Sequence, residues 1–116
     1  MAKNKEEINY LEVYLERKIE EINKFKKQLE SFNSEREDCI KTKISIEKKI
    51  VELSDKDTVS ESNEKHIKSL KRTLESYRND IMRLTVEITS TEDILEDLEF
   101  DYEMTTEELN ILKNIM

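Results

Sequence analysis

Glycine and proline are both absent from all 116 residues, and tryptophan is absent with them. Without glycine, no position readily takes the left-handed backbone of tight turns, and glycine-dependent phosphate loops are excluded. Without proline, nothing breaks a helix by removing an amide donor. The single cysteine, Cys39, excludes an intramolecular disulfide and fits a reducing compartment. The single histidine, His66, has no partner at metal-ligand spacing. Apolar runs fall far short of the roughly 20 residues that a membrane span requires, and Met1–Glu7 lacks the apolar core of a signal peptide. The expectation is a soluble, intracellular protein without catalytic residues, cofactor, metal or small-molecule substrate.

What is present is charge and period. Charged residues make up 41% of the chain and hydrophobic ones 35%, a balance near that of disordered chains. The order of the apolar residues argues otherwise. A first seven-residue register places Ile8, Leu15, Ile22, Leu29, Arg36, Lys43 and Ile50 at a, with Leu11, Lys18, Phe25, Phe32, Cys39, Ile46 and Leu53 at d. A second places Ile67, Leu74, Ile81, Ile88, Leu95, Tyr102, Leu109 and Met116 at a, with Leu70, Tyr77, Leu84, Thr91, Leu98, Thr105 and Leu112 at d. Of these 29 positions 24 are apolar, where composition alone would place about 10, so the period is that of paired helices.

The two registers are out of phase, and the polar stretch from Ser54 to His66 separates them. Its serines and the Thr58-x-x-Glu61 capping pattern favour a turn, and Asn4-x-x-Glu7 offers a start signal for the first helix. The reading is all-α: one helical domain over residues 1–116, an antiparallel coiled-coil hairpin with helix 1 at about 5–53, a turn at about 54–58 and helix 2 at about 59–116. Such a hairpin has a narrow core and is expected to self-associate into a four-helix or larger assembly. One continuous helix with a heptad slip, paired with a second chain, is the competing arrangement.

Antiparallel pairing requires facing residue numbers to sum to a constant, 113 or 120. The 120 register sets Lys18 against Tyr102, Lys43 against Tyr77 and Arg36 against Leu84. It faces Lys26 with Glu92 or Glu99, and Glu47 with Lys71 or Arg78. It also brings Glu35 unfavourably near Asp80 or Glu87.

Between Leu84 and Leu112 there are ten acidic residues and no lysine or arginine. This strip, with Glu92, Asp93, Glu96, Asp97, Glu99, Asp101 and Glu103 at its centre, would repel phosphate, so direct nucleic-acid binding is not expected. Apolar residues also lie off the seams. Tyr10, Val13 and Tyr14 converge with Ile94, Phe100, Met104, Ile111 and Ile115 if the chain folds back, and Ile19, Ile40, Ile44 and Val51 form a second group. Grouped apolar residues on a highly charged chain point to protein contacts, with a second copy or another protein.

Three functions follow. The first is a non-enzymatic scaffold or adaptor. The second is a small acidic inhibitor, of the kind a virus or mobile element encodes, that binds a basic nucleic-acid-handling protein through residues 87–108. The third is a holdase, since the pattern resembles prefoldin-type hairpins in general shape while lacking their strand segments.

Overall fold

The computed structural model describes residues 2–55 and 60–115. It consists of two long helices, α1 over Ala2–Ser54 and α2 over Glu61–Ile115. No residue described has a positive φ, as expected of a chain without glycine.

The helix ends differ from expectation in ways that side chains explain. Helix α1 begins at Ala2, so Asn4 lies inside its first turn and does not cap it. At its other end the helical ladder runs on to Asp55, whose amide donates to the Val51 carbonyl at 3.0 Å. Thr58, half of the expected capping pattern, lies outside the described residues. The observed cap is Ser60, whose Oγ accepts from the Asn63 amide at 3.1 Å while its carbonyl accepts from Glu64 at 3.0 Å. That is N-cap geometry. Glu61 and Glu64 in the first turn and Lys113 in the last complement the α2 dipole.

The chain divides into two compact units. Unit 1 comprises Met1–Glu30 and Thr89–Met116; unit 2 is Ser31–Ile88. In unit 1 the start of α1 lies antiparallel to the end of α2. Its closed seam is formed by Leu15, Ile22, Leu95 and Leu109, with Thr91 and Thr105 as buried hydroxyl-bearing members. Among the described residues no buried side-chain nitrogen or oxygen lacks a partner, so these threonines carry no desolvation penalty from an unmade bond.

Unit 2 is a helical hairpin in its own right, closed by Leu53, Leu74, Leu84 and Ile88. Every described a and d position of both registers is buried or half-buried, including Lys18, Arg36 and Lys43.

Cross-helix partners choose between the two registers. In unit 2, Arg36 Nη1 donates to Thr85 Oγ1 at 3.4 Å and Arg83 pairs with Glu35 at 3.8 Å. In unit 1, Lys18 pairs with Asp101 at 3.6 Å, Lys26 with Glu99 at 3.9 Å and Lys113 with Glu12 at 3.2 Å. The paired numbers cluster about 120 in each unit. Glu35, expected near Asp80 or Glu87, also meets Arg83 on the opposite helix. Glu47 forms its ion pair with Lys43, one turn back, at 3.6 Å, although it lines a shared concavity with Lys71 and Arg78.

Candidate protein-interaction surface

The densest side-chain network lies in unit 1 and begins with Tyr14, one step off the a/d seam. The hydroxyl of Tyr14 donates to Asp101 Oδ2 across the helix pair at 2.5 Å. Lys18, one turn further on, brings its Nζ to 3.6 Å from the same carboxylate, 3.7 Å from Glu21 and 5.2 Å from the centre of the Tyr14 ring. Tyr10 stacks on Tyr14 with ring centroids 6.4 Å apart. The cation–π partner of Lys18 is therefore Tyr14 on its own helix, and not Tyr102. A residue four positions back on the same helix face is closer to hand than the level residue opposite.

Charge in this network shifts both ends of it upward. The hydrogen bond to Asp101, then burial, raises the Tyr14 phenol above its usual value, with Lys18 pulling the other way. Burial disfavours the Lys18 ammonium, but Tyr14, Glu21 and Asp101 together outweigh it and raise that group too. A raised phenol contributes stability that is complete below the unfolded tyrosine value, near 10, and is lost as pH rises through the folded one. Ultraviolet titration is expected to show a tyrosine component ionising above the usual phenol value, and Asp101→Asn is expected to lower it. A titration curve that Asp101→Asn leaves unchanged would exclude the bond.

Among the off-seam apolar residues, Tyr14 is half-buried, whereas Tyr10, Val13, Ile94, Phe100, Met104, Ile111 and Ile115 are exposed. Met104 and Ile111 share a groove of about 410 Å³ with Asp101, Thr105, Glu107, Glu108 and Leu112. Phe100 opens instead onto a separate concavity with Glu96, Glu99, Tyr102 and Glu103. Within the acidic strip, Glu99 and Asp101 are tied to Lys26 and Lys18. Glu92, Asp93, Glu96, Asp97 and Glu103 face solvent.

Unit 2 carries its own exposed apolar stripe of Ile40, Ile44 and Val51 on α1, beside a concavity of about 450 Å³ lined by Ile44, Glu47, Lys48, Val51 and Glu52. Ile19, grouped with these residues by sequence, belongs to unit 1. Met82 and Val86 on α2 are exposed as well. Their spacing of four, off the seam, is the sequence signal that sets them together on one outer face.

Cys39 is half-buried in the unit 2 seam. Burial, followed by the nearby acids Asp80, Glu35 and Asp38, raises its thiol despite Arg83, which favours the protonated form at neutral pH. His66 is exposed. Among the described residues no three histidine, cysteine or acidic side chains could jointly hold a metal ion, and no helix is long and apolar enough to cross a membrane.

No family model, no curated protein and no solved structure matches this chain.

Proposed function

We propose that this chain is a non-enzymatic coiled-coil interaction module, a scaffold or adaptor that works as an oligomer and holds other proteins. One observation carries the reading: the seams are already filled, yet large apolar side chains remain outside them on a chain that is 41% charged. Apolar surface left over in groups on such a chain marks contact sites.

The charge balance assigns different tasks to the two units. Unit 2 holds twelve basic and twelve acidic residues, whereas unit 1 holds eight and sixteen, so the whole net charge of −8 belongs to unit 1. Two copies of a balanced surface approach without electrostatic cost, which favours self-association through Ile40, Ile44 and Val51. The same imbalance supports a second reading, that the negative unit occupies a basic protein whose own ligand is nucleic acid.

Light scattering tests the leading reading. The parent protein is expected to show a multiple of the 13.9 kDa chain mass, falling to a single chain in the Ile44→Ser, Val51→Ser variant. A lone monomer at every concentration, together with no captured protein, would defeat it.

A further inference from the structure

Resting on the reading that this chain docks other proteins, we infer that the Met104–Ile111 groove of unit 1 receives a basic amphipathic helix from a different protein. Met104 and Ile111 are 51% and 60% exposed. Seven residues apart, they stand two turns from each other on one side of α2, about 10 Å along the axis. Between them, buried Thr105 and half-buried Leu112 form the floor. Asp101, Glu107 and Glu108 form the rim.

Tyr10, 69% exposed, extends the apolar surface onto α1. It stacks on the Tyr14 ring whose hydroxyl holds Asp101 in place. An incoming helix with apolar residues at i, i+3 or i+4 and i+7 matches this spacing.

The sign of the rim names the partner. No lysine or arginine occurs from Leu84 to Leu112. On the Tyr14 side of α1, Lys18 already pairs with Asp101 at 3.6 Å, which leaves Glu107 and Glu108 as the charge of the rim, and Arg17 is offset by Glu7 and Glu21. A second copy offering its own unit 1 would bring the same acidic surplus, and its balanced unit 2 would bring no attraction. Lysine or arginine flanking an apolar stripe satisfies both the floor and the rim.

The probe is a fluorescent helical peptide of about 14 residues, leucine at the apolar positions and lysine beside them, with a twin carrying glutamate in place of lysine. The lysine peptide is expected to bind, the glutamate twin is not, and added salt is expected to weaken binding steeply. Met104→Ser with Ile111→Ser is expected to weaken it about tenfold or more. Glu107→Gln with Glu108→Gln is expected to flatten the salt dependence. Phe100→Ser, on the separate concavity, is expected to leave affinity unchanged.

All these positions are exposed, and helicity by circular dichroism confirms that each variant is folded. Absent binding of the lysine peptide, equal binding of the twins, or equal sensitivity at Phe100 would overturn the inference. If Met104→Ser with Ile111→Ser instead lowers the protein's own molar mass, the occupant is a second copy. That result defeats the inference and leaves the interaction-module reading standing.

Discussion

Leu84→Ala is expected to lower the unfolding free energy by about 3 kcal/mol, read from urea denaturation followed by helicity. Leu84 is the most enclosed side chain among the described residues, with 0% exposure. It sits at a d position level with Arg36 in the 120 register. The Arg36 guanidinium reaches past it to Thr85 at 3.4 Å and to Asn33 at 3.5 Å. Truncation removes the burial of three carbons and leaves a space that a side chain anchored at both ends of its guanidinium does not readily refill. Val86→Ala, two residues away and exposed, controls for helix propensity and is expected to change stability by less than about 0.5 kcal/mol. Equal effects of the two substitutions would show that Leu84 is not the closed point of the unit 2 seam.

Glu16→Pro is expected to cost about 3 kcal/mol or more and to dismantle unit 1. Glu16 is exposed and forms no ion pair among the described residues, so its side chain contributes little. Its amide is another matter. Proline there deletes the bond to the Glu12 carbonyl and drives its ring against that carbonyl, midway between Tyr14 and Lys18. Both of those residues depend on helical phase to reach Asp101, and Glu12 depends on it to meet Lys113. Glu16→Ala preserves the backbone and is expected to stay within about 0.5 kcal/mol of the parent protein. Amide hydrogen exchange over residues 5–30 and 89–115 checks the location of the loss. Unchanged protection there in the proline variant would refute it.

The two long helices were legible from the sequence because a period of 3.5 is a direct imprint of burial, and Leu15, Ile22, Leu74 and Leu109 recur on it without interruption. The antiparallel register was legible to within two choices, and Lys26 with Glu99 fell where the 120 register sets them. The polar residues were harder to read. Lys18 and Glu47 each have a partner within one turn of their own helix, and level-by-level pairing across a seam does not weigh such neighbours. Arg83 escaped notice because it lies at an outer position, from which a long guanidinium still reaches Glu35.

Helix starts misled for a related reason. Asn4 competes with the backbone as a cap in principle, but residues before it can continue the helix at little cost. At the candidate surface, the exposure of Met104 and Ile111 was legible, since both lie off the seam. Their separation from Phe100 was not, because it depends on which groove each side chain borders and not on spacing alone.

The uneven split of charge also governs how this protein behaves as a colloid. As acid brings the solution toward the isoelectric point near 4.8, surplus carboxylates in the negative unit bind protons and the repulsion between neighbouring molecules fades. Zero net charge is then the sum of a still-negative unit 1 and a unit 2 that proton uptake has made positive, so unlike units of neighbouring molecules attract, and added salt is expected to clear the turbidity.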